Sequence, residues 1–262
     1  MTTPSDRPLQ RTRLDDVNLQ RAWQTHAADF IAWARKPNHD SYWRHHRAQF
    51  LSLLPSPGRR TLDLGCGEGR VSRDLIALGH QVMGLDAAPA MLTAAREAQP
   101  VAPLTLGNAA RLPFADAAFD GVIAFMSLHD IDDRAGTTAE IARVLEPGGW
   151  LCLAVVHPLN SAGHFIGEEP ESPFTIDGSY LDPSFYTDTL VRDGLSVTFV
   201  SAHRPISTYT EQLAEAGFLI ERLIETRVPG EAVTLAHQNR WQRIPLFLHL
   251  RARRFGKNLG SF

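Results

Sequence analysis

Thr61-Leu62-Asp63-Leu64-Gly65-Cys66-Gly67-Glu68-Gly69-Arg70 is the stretch that decides the fold. Apolar residues alternate around Asp63, three glycines follow at every second position, and Arg70 to Leu78 is apolar at helical spacing, so the stretch reads strand, tight loop, helix. Glycine is needed where backbone turns sharply or lies against a bound molecule, because a Cβ would fill the ligand's space, and the loop is therefore a ligand loop. The next strand, Gln81 to Leu85, ends in Asp86. An acid at the tip of the second strand of a doubly wound sheet is placed to bind ribose hydroxyls.

The spacing separates two kinds of nucleotide-like ligand. A dinucleotide fingerprint runs Gly-x-Gly-x-x-Gly, and here its third glycine position carries Arg70 while Gly69 comes one residue early. Phosphate binding is disfavoured, which leaves a nicotinamide-dependent reductase as the lesser reading. At these residues the chain resembles the class I S-adenosylmethionine-dependent methyltransferases, whose first motif is an acidic strand end followed by Gly-x-Gly-x-Gly. The resemblance extends through Asp86, the segment Gly107-Asn108-Ala109-Ala110-Arg111-Leu112-Pro113-Phe114, the strand Phe119 to Phe125, and Arg143-Val144-Leu145-Glu146-Pro147-Gly148-Gly149.

It implies an α/β, Rossmann-like fold: a seven-stranded, mostly parallel sheet with helices on both faces, an N-terminal helical cap and an insertion after the fifth strand. The expected layout is a single methyltransferase domain over 1–262, with a flexible tail (1–14), a helical cap (15–57), a donor-binding half (58–157), an acceptor-pocket insertion (158–204) and C-terminal helix and strands (205–262). The implied cofactor is S-adenosyl-L-methionine, leaving as S-adenosyl-L-homocysteine. On this resemblance Gly65, Cys66 and Gly67 let the backbone approach the donor, Asp63 orients the loop or the donor's ammonium, and Asp86 with Ala87 binds the ribose. Met91 packs on the adenine, which Asn108 and Ala109 flank, and Met126 and Tyr42 complete the donor contacts. The family usually has an acid where this chain has Asn108, whose carbonyl oxygen can still accept from the adenine amino group.

The composition agrees with a small-molecule enzyme. At 262 residues, with 44% hydrophobic and 21% charged residues, the chain is long enough for one large α/β domain with decorations. Twenty-six basic against 29 acidic residues give a net charge of −3, which argues against a broad nucleic-acid or anionic-membrane surface. The 2 cysteines, Cys66 in the loop and Cys152 in an apolar run, make a disulfide framework implausible and point to the cytoplasm. No stretch has the length and apolarity of a membrane span, and neither internal repeats nor metal-ligand spacings occur. The sequence gives no oligomeric state.

Along the chain, the first dozen residues read as a frayed tail, Asp15 to Ala34 as a helix stopped by Pro37, and Asp40 to Leu54 as a second helix. Tyr42, Trp43 and His46 on it are candidates for lining the donor or acceptor, because in the resembling family an N-terminal helical piece closes over the donor. Leu104 to Leu106, Phe119 to Phe125 and Trp150 to Val156 read as strands, and about Asp133 to Leu145 as a helix. Between His157 and Ser201 the rhythm breaks into a proline-rich insertion with an extended stretch at Leu195 to Val200. Pro205 to Ala216 reads as a helix, Phe218 to Ile224 and Ile244 to Leu250 as the last strands, and Arg251 to Lys257 as a solvated basic end.

Methyl transfer from a sulfonium is an in-line displacement in which the protein mainly supplies proximity and alignment. An oxygen or nitrogen acceptor needs at most a base, which His129, His157 or His164 could supply. A carbon acceptor asks for aromatic faces, a carboxylate and, for a diphosphate, basic donors. Glu168, Glu169 and Glu171 lie near Phe174, Tyr180 and Tyr186 in sequence, and His203-Arg204-Pro205 precedes Ser207 and Tyr209. This segment looks similar to natural-product C-methyltransferases acting on isoprenyl diphosphates. The candidates are thus Glu169, His129 and Tyr209 for catalysis, and His164, Tyr180, His203, Arg204 and Ser207 for a small-molecule acceptor of secondary metabolism. O- or N-methylation and C-methylation both stay open, as does a non-catalytic donor-binding subunit.

Overall fold

The computed structural model describes residues 10–12, 17–228 and 236–255. In chain order, β1 (Gln10–Thr12) precedes α1 (Leu19–Arg35), and a π-helical turn, Tyr42–His46, leads into α2 (Arg47–Leu51). Then β2 (Thr61–Leu64), α3 (Arg70–Ala77), β3 (Val82–Asp86), α4 (Pro89–Glu97), β4 (Leu104–Leu106), β5 (Phe119–Phe125), α5 (Arg134–Val144) and β6 (Leu145–Val156) follow. After them come α6 (Pro158–Ala162), β7 (Gly163–Phe165), β8 (Phe174–Ile176), β9 (Ser184–Arg192), β10 (Leu195–His203), α7 (Ile206–Glu215), β11 (Phe218–Glu225) and β12 (Phe247–Arg254). Among the described residues no helix is long and apolar enough to cross a membrane.

The chain divides into two compact units. One comprises Leu53–Val155, Ser207–Leu223 and the chain from Leu250 on; the other comprises the chain up to Ser52, Val156–Ile206 and Ile224–His249.

The first unit is built on the seven-stranded sheet, ordered β11-β12-β6-β5-β2-β3-β4. β2 pairs in parallel with β3 and β5, β3 with β4 and β5 with β6, so the carboxyl ends of these strands share one edge. Every residue of β2 is buried, as expected of a central strand covered on both faces. Val71 and Leu75 of α3 are buried with Leu62, Leu64, Val122, Ile123, Leu151 and Leu153. The helices start where the sequence allows it. Gly69 caps α3 in the left-handed region, Pro89 opens α4, and the Asp133 side chain accepts the Gly136 N–H at the head of α5.

The expected last strand is displaced: β12 runs to Arg254, and the basic run is not a solvated end. Arg251 Nε lies 2.7 Å and Arg253 Nε 2.5 Å from the Glu221 carboxylate, whose pKa they hold below the usual range. Arg253 also donates to the Gly148 carbonyl at 2.9 Å, and Arg254 to that of Leu145. Leu250 and Ala252, both buried, alternate with these arginines, and that alternation makes the segment a strand. Gly256 and Lys257 lie outside the described residues. β6 also begins at Leu145 rather than Trp150, with a register shift between Phe119 and Gly121 on β5.

The second unit holds an antiparallel sheet, β1-β9-β10, and the β7–β8 hairpin. The expectation of a frayed tail is corrected for its described part, because Gln10–Thr12 pairs with Phe185 to Thr187. Arg11 Nη1 donates to Ser184 Oγ at 2.8 Å and its Nη2 to the Ser161 carbonyl at 2.9 Å. β9 and β10 join at Asp193-Gly194, both at positive φ, the backbone a two-residue hairpin requires. α1 is capped by Asn18, whose side chain accepts the Arg21 N–H, and its Trp23 and Phe30 meet Phe199 of β10 edge to face. Asp15, where the sequence placed the start of this helix, lies outside the described residues. The second expected helix is shorter and irregular, a π turn and then α2, which ends at Leu51.

Gly121 sits under the Trp150 indole, where an added Cβ would come within 2.2 Å of the ring. Gly121→Ala is therefore expected to cost about 1–3 kcal/mol by overpacking, read as a lower denaturation midpoint; an unchanged midpoint would contradict this packing.

Candidate functional site

The site is assembled at the carboxyl edge of the parallel strands. Gly65, Gly67 and Gly69 all have positive φ, at +72°, +55° and +85°. The Gly65 and Cys66 N–H groups both donate to the Leu85 carbonyl, at 2.7 and 3.0 Å, which folds the loop onto β3. Asp86, at the end of β3, then accepts the Gly67 N–H at Oδ2 and the Ala88 N–H at Oδ1, both at 2.8 Å. From the helix side Arg73 holds the loop by donating to the Glu68 carboxylate at 2.8 and 3.0 Å and to the Glu68 carbonyl at 2.8 Å.

The glycines do different work. A Cβ on Gly65 would meet Ser127 Cβ at 2.5 Å, and Ser127 Oγ in turn donates to the Leu64 carbonyl at 2.7 Å. Gly65 is thus required by packing against the end of β5. Gly67 meets nothing within 4 Å, so its missing side chain is what keeps the space over the loop open.

Asp63 is buried under this loop, and Asp86 is half-buried at its edge. Asp63, 1% exposed, accepts the Ser72 hydroxyl at 2.6 Å. Burial pushes its pKa up to about 6, the Asp86 charge adding to the rise while the Ser72 bond and Arg70 oppose it. Burial likewise pushes Asp86 up, against the amide bonds from Ala88, Gly67 and Ala87. Burial raises the Cys66 thiol far out of reach of neutral pH, which leaves it a packing residue. An environment that penalises both carboxylates suits a ligand carrying positive charge.

The other expected donor residues of this unit fall on α4 and beyond the ends of β4 and β5. Met91 is buried on α4 and Ala109 beyond β4, and Met126, at φ +51°, donates its N–H to the Ala154 carbonyl at 2.8 Å. His129 is buried in a 3-10 turn, its Nε2 3.5 Å from Asp130 Oδ1. The Asn108 side-chain oxygen accepts the Ala110 N–H at 2.8 Å and keeps a second lone pair. Arg143 of α5 holds the segment beyond Asn108, donating to the carbonyls of Leu112 at 3.0 Å and Phe114 at 2.8 Å and to the Asp116 carboxylate at 2.8 Å. Glu140, its pKa held down by Arg143, accepts the Leu112 N–H at 2.7 Å. Ser72, Arg73, Ser127, Glu140 and Arg143 were assigned no role from sequence, although Arg143 stands in the motif that ends at Gly149. On α7, in the same unit, Tyr209 is buried and Ser207 exposed.

The other unit carries the rest. Tyr42 is fully buried, its N–H donating to Asp40 Oδ1 at 2.8 Å, while Trp43 is half exposed. His203 Nε2 is 2.9 Å from the Tyr180 carbonyl, which can only accept, so Nε2 carries the proton and Nδ1 faces Ser161 Oγ at 2.8 Å. His203 and Tyr180 therefore come together, and the Tyr180 hydroxyl accepts the Ile206 N–H at 3.1 Å. Arg204 is buried. His164 Nδ1 lies 3.0 and 3.1 Å from the two oxygens of Asp177, a partner the sequence reading missed. His157 is no free base: its Nδ1 accepts the Leu159 N–H at 3.0 Å and its Nε2 is 2.9 Å from Glu225. Glu168, Glu169 and Glu171 are all exposed in the turn joining β7 to β8, where water solvates them, and they do not form an enclosed carboxylate.

With this geometry in place, comparison gives the class. Residues 62–153 match the family described as "Methyltransferase domain". A demethylmenaquinone methyltransferase from Beutenbergia cavernae is 36% identical over 115 residues, covering 44% of this chain and 47% of that protein. The chain thus spans about half the length of the curated relatives it matches. Among solved structures, an S-adenosylmethionine-dependent methyltransferase from Mesorhizobium loti superposes with a TM-score of 0.65 at 27% identity, covering 78% of this chain and 95% of that one. A second, from Listeria monocytogenes, gives 0.63 at 25%, covering 79% and 95%. Residues 62–153 are a methyltransferase domain of the S-adenosylmethionine-dependent kind, whose cofactor is S-adenosyl-L-methionine. The residues fit that cofactor: open space over Gly67 admits it, and the two carboxylates complement its positive charges.

Gly65→Ala and Gly67→Ala both force a side chain into the left-handed region, at about 1–2 kcal/mol each. Gly65→Ala adds the overlap with Ser127, so its thermal midpoint should fall further. Gly67→Ala should keep the fold and weaken S-adenosyl-L-homocysteine at least tenfold by calorimetry. A larger stability loss at Gly67 than at Gly65 would contradict this division of roles.

Proposed function

We propose that the protein transfers the methyl group of S-adenosyl-L-methionine to a small-molecule acceptor. The observation that carries this reading is Asp86, which fixes the Gly67 amide and keeps lone pairs for a nucleoside's hydroxyls beside the open space over that glycine. The cofactor supplies an electrophilic methyl on a sulfonium, so the chain's task is alignment. Asp63 holds the ammonium side, Asp86 the ribose, and the segment braced by Arg143 the base.

On the acceptor side we assign His164, with Asp177 holding its Nδ1 and leaving Nε2 to take a proton. This supports an acceptor with an ionisable O–H or N–H. The isoprenyl diphosphate reading is weaker, since the three glutamates it needs are exposed. Tyr180, His203, Arg204, Ser207, Tyr209 and His129 remain acceptor-side assignments, and residues 158–204 the acceptor insertion. A role in secondary metabolism and a cytoplasmic setting complete the reading, the latter supported by two buried free cysteines.

Incubation with labelled donor and a panel of phenols, amines, quinols and prenyl diphosphates tests this. Product from phenols or amines, lost on Asp86→Asn with S-adenosyl-L-homocysteine binding at least tenfold weaker, is the expected result. Turnover of prenyl diphosphates alone, abolished by Glu169→Gln or Arg204→Ala, would replace the acceptor assignment. Donor binding without product from any acceptor would favour a non-catalytic subunit.

A pH series tests Asp63. Its folded pKa is raised, so the protonated form is the one folding favours, and that advantage is lost as pH rises from its unfolded value of 3.8 through about 6. The ligand's ammonium group prefers the carboxylate, so S-adenosyl-L-homocysteine affinity should rise with pH up to about 6 and level off above it. Asp63→Asn should flatten that dependence. Equal affinity at pH 5 and 7.5 in the unaltered protein would remove the assignment.

A further inference from the structure

The single helical turn α6 is capped by a histidine, and the bonds that lead from it end at His164. His157 Nδ1 accepts the Leu159 N–H at 3.0 Å, and its Nε2 lies 2.9 Å from Glu225 Oε1. An amide N–H can only donate and a carboxylate only accept, so the ring is neutral, with its proton on Nε2 and its lone pair on Nδ1. The usual capping side chains, asparagine and serine among them, offer an oxygen that keeps its lone pairs at any ordinary pH. An imidazole gives up its one acceptor when it takes a proton, and it does so in the neutral range.

Beyond the cap the connections are continuous. The carbonyl of Ala162, the last residue of α6, accepts the Asp177 N–H at 2.9 Å, and the Asp177 carboxylate holds His164 Nδ1 at 3.0 and 3.1 Å. Gly163, next in the chain, opens β7 opposite Ile176. We propose that His157 is a positioning residue of the acceptor side: its neutral ring fixes α6, and a proton on that ring releases α6 and with it Asp177 and His164. This deepens the acceptor reading above and rests on it for the role of His164.

The surroundings of the ring set the direction of the effect. His157 is 4% exposed, and burial disfavours its imidazolium more than Glu225, at the end of β11, favours it, so the pKa of the capped ring lies below the ordinary 6.5. Glu225 is more than half exposed, which screens its pull. The stretch before β12 presents main chain, the Leu246 carbonyl accepting the His157 N–H at 2.9 Å and the Asn160 side-chain amide at 3.2 Å. α6 also meets Arg11, which donates to the Ser161 carbonyl, and His203, whose Nδ1 accepts the Ser161 hydroxyl. Burial lowers the pKa of His203 as well, which makes it the competing proton acceptor on this turn. Once the cap opens, His157 titrates at 6.5, so each pH unit below that value favours the open form by up to about tenfold while the capped ring stays neutral. Above 6.5 both forms are neutral and the cap is indifferent to pH.

Hydrogen exchange of the Leu159 and Asp177 amides, followed by NMR at pH 7.5 and pH 5 and corrected for the intrinsic rate, tests this. In the unaltered protein, protection of both amides should fall at least threefold at pH 5. In His157→Asn, whose side-chain oxygen caps without titrating, it should change less than twofold. A smaller fall in the unaltered protein overturns the proposal, and so does opening at Leu159 with Asp177 still protected. A larger change in His157→Asn assigns the proton to His203 or another group and overturns it too. A thermal midpoint at pH 7.5 within a few degrees of the unaltered protein's shows that the variant is folded; His157→Ser, also a capping side chain, serves in its place if it is not. Absence of turnover with every acceptor would remove His164 as a base, while exchange at Asp177 would still decide whether His157 controls the turn.

Discussion

A carboxylate partly withdrawn from water needs hydrogen-bond donors, and Asp86 finds them in the main chain of the loop it faces. By accepting from Gly67 and Ala88 it ties the end of β3 to the bend after β2 and to the entry of α4. Burial still lifts its pKa, so the amide bonds offset only part of the cost of holding charge there. On the proposed function, a polyhydroxylated, cationic nucleoside is what would relieve the remaining deficit. A site tuned in this way is incomplete without its ligand, and the backbone around it is already shaped to receive one.

That shape is maintained from outside. Arg73 grips Glu68 from α3, Ser127 fixes the carbonyl of Leu64 from the end of β5, and Arg143 gathers the segment after β4 from α5. Arg73 comes from the helix after β2, Ser127 from the end of the strand beside it, and Arg143 from the helix after β5. The loop therefore does not depend on its own glycine-rich backbone for rigidity. Arg143 acts through carbonyls, which any residue supplies, so the segment it holds can vary in side chain without changing course.

The sequence made β4 and β5 legible to the residue, because β4 is a short run between Pro103 and Gly107 and β5 carries the apolar run Val122 to Phe125. β1 was not legible. Gln10-Arg11-Thr12 carries no apolar pattern and is a strand only by virtue of its pairing with β9. The Asp193-Gly194 pair was a local hairpin signal, and with the extended stretch after it could have located β9. The basic end of β12 misled because alternation with Leu250 and Ala252 counts for more than charge when Glu221 stands alongside. At the site, Asp63, Gly67 and Asp86 followed from the motif. The separate task of Gly65 did not, since it depends on Ser127, and neither did the direction of the Asn108 amide, which a main-chain donor two residues on decides.

The second unit draws on stretches far apart in the chain, and this bears on its assembly. Arg11 finds Ser184 across 173 residues, and the aromatic face of α1 waits for Phe199. Closing so long a loop is entropically costly and slow. As the polypeptide leaves the ribosome, Trp23 and Phe30 emerge well before the strand that covers them, so the sheet-bearing unit can begin to form while this helix is still unsheltered. Until β9 and β10 have been made, the aromatic face of α1 has no Phe199 to close against, and a chaperone is the natural cover for it in the interval.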